Sequence, residues 1–199
     1  MSHTNLWRGL FHASVLVVCT AALALPCTIV GSISPNEMVR RADAIVRAVA
    51  VEYATAPANP GALTTGVPDS VVRFKIAEVL KGKAVPQELL LPGYLSERDD
   101  FNDHKAPYTF VRPGGRSGSC FANSYRRGAE FLLVLKNIGT SFTVNWYALG
   151  PVNEQLKSHD DPWLIWVRQE LKKEAALPNQ RLQPTARASF SRLSRTRRG

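Results

Sequence analysis

"RADAIVRAVAVEY", residues 41–53, decides the fold. It reads as the end of a helix running straight into a β-strand. A strand turns alternate side chains to opposite faces. Val46, Ala48 and Ala50 therefore share one face, and Ile45, Val49, Val51 and Tyr53 share the other. A flat sheet has little use for a face of paired alanines. A small closed barrel does, because its interior narrows and small residues relieve the crowding. The stretch predicts a barrel with Ala48 and Ala50 turned inward beside Val46.

Working outward, Ser34-Pro35-Asn36-Glu37 is a helix start. Ser34 is placed to accept from the Glu37 backbone N–H while Glu37 reaches back, and Pro35 suits the first helical position. This short helix runs to about Ala42. Residues 54–69, rich in Pro, Gly and Thr, read as a loop. In "SVVRFKIAEVLKG", 70–82, Val72, Phe74 and Ile76 alternate with Arg73, Lys75 and Ala77, a strand with one wet face. "QELLLPGYL", 87–95, is a shorter strand broken at Pro92-Gly93. Residues 96–119 are polar and turn-rich, and their glycine-rich end, "RPGGRSGS", reads as a mobile loop. "AEFLLVLKN", 129–137, is apolar on both faces and predicts a central strand, with "FTVNWYAL", 142–149, as its hairpin partner. A second helix spans 159–176, with Asp161 as N-cap, Pro162 first, and Trp163, Trp166, Val167 and Leu171 as its apolar stripe. The whole predicts a mainly β domain. It is a five-stranded OB-type Greek-key barrel with a short N-terminal helix and a C-terminal helix.

The two ends of the chain differ from the middle. Residues 1–24 carry Arg8, an apolar run from Ala13 to Ala24 and a terminal Ala22-Leu23-Ala24, the pattern of a cleaved signal peptide. The run is short for a membrane span, so no stable span is expected after cleavage. The chain is therefore expected to be exported, to a periplasm or the medium. Residues 178–199, rich in Gln, Pro, Ser and Arg, are expected to be a disordered tail, leaving 25–177 as the domain. The net charge of +9 is largely a matter of these ends. Arg8 and the arginines at 181, 187, 192, 195, 197 and 198 account for seven of the 25 basic residues, whereas all 16 acidic residues lie between Glu37 and Glu174. The domain is near neutral, which argues against nucleic acid as a partner. The 181–198 arginines are candidates for contact with an anionic surface.

Export leaves Cys27 and Cys120, and an even pair in an oxidising compartment reads as one disulfide, the alternative being two buried thiols. Only His104 and His159 remain among the histidines. Asp99, Asp100, Asp103 and His104 match no calcium-loop or zinc-finger spacing, and read as a solvated acidic loop. No nucleophile motif and no phosphate-binding glycine loop occurs. No catalytic, cofactor or metal residues are therefore expected. Phe142, Val144 and Trp146 share one face of the predicted last strand and read as core.

Several stretches taken in order resemble the netrin-like module, found in tissue inhibitors of metalloproteinases and in exported bacterial relatives. "ADAIVRAVAV" resembles its first barrel strand and "VRFKIAEVLKG" the next. "SCFANSYRRGAEFLLVLKN" resembles its cysteine-led fourth strand, and "PVNEQLKSHDDPWLIWVRQEL" the helical ending of bacterial members. The resemblance covers roughly 27–173 and implies that Cys27 pairs with Cys120. Such a bridge closes a loop of about 94 residues, worth up to roughly 4–5 kcal/mol in the chain-entropy model. The animal inhibitors begin with Cys-x-Cys and chelate zinc through the first cysteine's amine. In "LPCTIV" only one cysteine is present, and Leu25 and Pro26 precede it after cleavage, so that mechanism is not expected to carry over.

The expected function is a non-enzymatic exported module that binds a protein or envelope component. Its partner-binding rim is expected at Cys27, Thr28, Cys120 and Phe121. The alternative is inhibition of an extracellular metalloprotease through the same rim, without amine chelation.

Overall fold

A computed structural model describes residues 33–59, 67–116 and 120–181. The expected signal peptide, Cys27, Thr28 and most of the arginine-rich tail lie outside them. Among the described residues, eight strands and two α-helices follow in the order α1 (Pro35–Arg41), β1 (Ala44–Thr55), β2 (Val71–Lys81), β3 (Glu88–Pro92), β4 (Tyr94–Ser96), β5 (Ser124–Arg126), β6 (Glu130–Asn137), β7 (Phe142–Val144), β8 (Asn153–Gln155) and α2 (Pro162–Arg181). The protein is mainly β, as the alternation predicts. No helix of the described residues is long and apolar enough to cross a membrane.

The principal sheet has six strands, all paired antiparallel, in the order β3-β2-β1-β6-β7, with β8 also on β6. It does not close, which corrects the expectation of a closed five-stranded barrel. The outer strands β3 and β7 come within 8 Å between Cα atoms, but no ladder joins them. The reason lies in the last strand. Hairpin pairing stops at Val144, and the chain swings out before β8 resumes the same edge of β6 at Asn153. One long strand of 142–149 was expected; two three-residue strands flank an excursion instead.

The alanines of β1 do face inward. Val46, Ala48 and Ala50 are fully buried. Closure of a barrel is not what requires them to be small. Ala48 pairs with Phe131 of β6, and Ala50 pairs with Phe74 of β2. Cross-strand partners share a face, so two phenyl rings lean over the central strand from both sides. Their centroids lie 6.2 Å apart, edge to face, and Tyr125 completes the group at 4.9 Å from Phe74 and 5.2 Å from Phe131. A larger residue at 48 or 50 would occupy the space of those rings.

The opposite face of β1 and β6 carries Ile45, Leu132 and Val134, all fully buried. Trp163, Leu164 and Val167 of α2 are also buried in the same core. Trp166 and Leu171, expected in this stripe, are half-buried at its margin. Asp161 caps α2 by accepting from the Trp163 N–H at 2.9 Å, as its position predicts. The helix runs on to Arg181, past the expected boundary at 177. At α1, Ser34 Oγ accepts from the Glu37 N–H at 3.2 Å. The Glu37 carboxylate does not reach back; it pairs with Arg40 and Arg41 one turn on. Two strong donors outcompete a single backbone N–H for the same oxygens.

Candidate functional site

Of the four rim residues expected from the sequence, the structure describes Cys120 and Phe121. Both are half-buried. Cys120 has φ +59° and Leu149, across from it, has φ +58°. Non-glycine residues in this left-handed region are uncommon and hold their conformation only when their surroundings enforce it. Here the enforcing bonds are visible. The Leu149 N–H donates to the Cys120 carbonyl at 2.8 Å, and the Val111 N–H donates to the Leu149 carbonyl at 2.8 Å. Val111, Ala122 and Leu149 form a small apolar cluster of their own, with Phe110 and Cys120 packed on it. Gly115 fits because it lacks a side chain; a Cβ there would lie 2.7 Å from Val111 Cγ2 and 2.9 Å from the Ala122 nitrogen.

Phe121 meets Trp146 edge to face at 5.5 Å. Trp146 lies on the excursion between β7 and β8, not on a strand with Phe142 and Val144 as expected. It is half-buried, one side on the core and one against Phe121. The rim is thus an aromatic pair carried by two strained loops bonded to each other.

Beneath the rim is a polar core that sequence reasoning missed. Arg112 is fully buried. Its Nη2 donates to the carbonyls of Ala122 at 2.9 Å and Ser124 at 2.8 Å, and its Nε donates to that of Asn153 at 3.2 Å. Its Nη1 donates to the Asp100 carboxylate. The guanidinium carbon lies 5.7 Å from the Tyr125 ring and 5.5 Å from the Phe131 ring, within reach of a cation–π attraction. Arginine suits this place because its planar fork serves several acceptors at once.

β8 supplies the rest. Glu154, also fully buried, accepts from the Arg112 N–H at 3.3 Å and from Asn102 Nδ2 at 2.9 Å. Asn153 Nδ2 donates to the Ala122 carbonyl and to the Tyr125 hydroxyl oxygen. Gln155 accepts from the Asp100 N–H and donates to Asp99. Arg112 thus serves two carboxylates, Asp100 through its guanidinium and Glu154 through its backbone N–H. Burial pushes the Glu154 carboxyl up to about 7, with Arg112 and Asn102 pulling the other way. A proton on Glu154 leaves the group with one positive and one negative charge. Tyr125 is pushed up to about 12 by burial.

Over its described residues, 96–116, the segment is not a freely solvated acidic loop, because its aspartates are paired; residues 117–119 of the expected mobile loop lie outside the described residues. Asp99 pairs with Arg126, Asp100 with Arg112, and Asp103 with Arg116. Arg116 holds the Asp103 carboxyl down at about 2. Pro113–Arg116 forms a turn of 3-10 helix. Arg112, just before this turn, and Arg116, at its end, reach back to carboxylates ten or more residues away, a pairing that local sequence does not announce. The sign that was available is the run Asn153-Glu154-Gln155 between Val152 and Leu156, three polar residues where a buried strand had to pass.

Among the described residues no group of three or more His, Cys, Asp or Glu is placed to hold a metal ion. No protein-family model matches the chain, and comparison with curated proteins returns no match.

Proposed function

We propose that this chain is an exported, non-enzymatic binding module that engages a protein or cell-envelope component through the rim around Cys27, Thr28, Cys120 and Phe121, with Trp146 as a further contact. The observation that carries this reading is the pair of strained residues, Cys120 and Leu149, hydrogen-bonded to each other beside a half-buried aromatic pair. Strained loops on a fixed scaffold are a usual place for recognition, and aromatic anchors dominate binding energy at interfaces.

In this reading the domain is an OB-type barrel left open at one seam. The order β3-β2-β1-β6-β7, with its outer strands close but unpaired, supports it, since OB barrels are themselves partly open. The proposal includes a netrin-like origin, a cleaved signal peptide and a Cys27–Cys120 bridge that ties the mature N-terminus to the rim. N-terminal sequencing of the mature protein is expected to begin at Leu25, and thiol counting of the unfolded, unreduced chain to find none.

The function itself is tested by affinity capture from envelope extract. A partner retained by the wild type, lost by Trp146→Ala and kept by Leu90→Ala, an exposed leucine of β3 outside the rim, is the expected result. Equal capture by all three, or none by the wild type, would overturn the rim as the binding surface.

A further inference from the structure

A second place on the molecule has the makings of a ligand site, away from the rim. A cleft of about 310 Å³ opens between the start of β6 and the segment joining β8 to α2. Phe101, Arg126, Glu130, Lys157, Ser158 and His159 are among its walls. Each carboxylate near it is already committed. Glu130 lies 3.7 Å from Arg47, and Asp99 is held by Arg126 at 3.1 Å and by Gln155 at 2.6 Å. Lys157 is not. Among the described residues it makes no ion pair, and its ammonium lies 5.7 Å from the centre of the Phe101 ring.

The segment that presents Lys157 is fixed by its own bonds. The Lys157 N–H donates to Asp161 Oδ2 at 3.0 Å, the Asp160 N–H to Ser158 Oγ at 3.2 Å, and the Asp161 N–H to the Ser158 carbonyl at 3.2 Å. His159 is fixed as well, with Nδ1 2.8 Å from Arg47 Nη1. Arginine always donates, so His159 Nδ1 accepts, and the ring carries its proton on Nε2.

We propose that this cleft binds a small organic carboxylate bearing an apolar group, with Lys157 taking the carboxylate and Phe101 the apolar part. An uncommitted ammonium beside an aromatic ring, on a segment held in place before any ligand arrives, is a low-entropy-cost arrangement for such a ligand. Its volume lies at the small end of known ligand pockets.

Benzoate is the probe. Titrated into the full chain and followed by amide NMR, it is expected to give saturable shifts at Lys157, Ser158 and His159. Lys157 is exposed, so Lys157→Gln is expected to leave the fold and its circular dichroism unchanged while weakening benzoate at least about tenfold. Acetate, which lacks the ring, and benzyl alcohol, which lacks the charge, are each expected to bind more weakly than benzoate. Absence of saturable shifts, or equal affinity in Lys157→Gln, would overturn the site. Inorganic phosphate binding more tightly than benzoate would overturn the carboxylate assignment.

Discussion

Two buried regions meet at Tyr125 and Phe131, and they are stabilised in opposite ways. On one side, Ala48 and Ala50 of β1 lie under Phe74 and Phe131, an apolar packing with no polar side chain. Against the Tyr125 and Phe131 rings lies Arg112, equally buried, with Asp100, Glu154, Asn102 and Asn153 around it. The first region gains from area removed from water and fails by degrees as shape is lost. The second gains little from burial and depends on every polar group keeping its partner, because an orphaned buried charge is expensive. The lesson is where each is used. The apolar packing sits at the centre of the sheet, whereas the polar group sits where loops must be held in conformations that they would not adopt alone.

The largest expected effect comes from breaking the polar side. Arg112→Met leaves Asp100 and Glu154 without their cation and takes its donors from the carbonyls of Ser124 and Asn153, while that of Ala122 keeps Asn153 Nδ2. Loss of one member of a buried ionic group costs about 3–5 kcal/mol, to be read as a lowered urea midpoint. A double variant with Glu154→Gln is expected to cost less than the sum of the two single changes, because they share a partner.

pH sharpens the same contrast. Glu154 has its folded pKa raised to about 7 from an ordinary 4.5, chiefly by burial. The folded state therefore holds this proton where the unfolded chain has lost it. The contribution is fully present below about pH 4.5 and is lost as pH rises through about 7. It is worth up to about 3 kcal/mol. Urea unfolding at stepped pH is expected to show this loss in the wild type and a flatter profile in Glu154→Gln. The apolar side has no such term.

The smallest of the three effects is on the alanines. Ala50→Trp forces a ring into the space of Phe74 and is expected to cost about 1–3 kcal/mol, with rearranged packing. An unchanged melting temperature would contradict the account of why β1 is small on that face.

How much of this was legible follows from the same contrast. The inward alanines, the alternation of β2, the central strand at 130–137 and the Ser34 and Asp161 caps all rest on local period or local hydrogen bonding, and all are found. The reason for the alanines was misread, because it depends on which residues stand beside them in β2 and β6, and register across strands is not written in either strand alone. Closure of the barrel failed for a related cause. Residues 146–149, Trp-Tyr-Ala-Leu, continue the strand pattern, and only the pairing with β6 shows that the chain leaves the sheet there. Arg112 was hidden most completely. It sits beside Pro113-Gly114-Gly115, a turn signal, and its partners come from Asp100, Ala122, Ser124 and Asn153. Nothing local distinguishes a buried arginine from a solvated one.

The central claim is that the Arg112 group holds the rim in place more directly than it holds the sheet. Native-state amide hydrogen exchange of Arg112→Lys tests it most directly, since lysine keeps the charge but loses the fork that serves several acceptors. The account predicts that the Leu149 and Val111 amides, bonded at the rim, lose clearly more protection in the variant than those of Ala50 and Ile76 in the sheet. Uniform loss across rim and sheet, or unchanged protection at Leu149 and Val111, would contradict it.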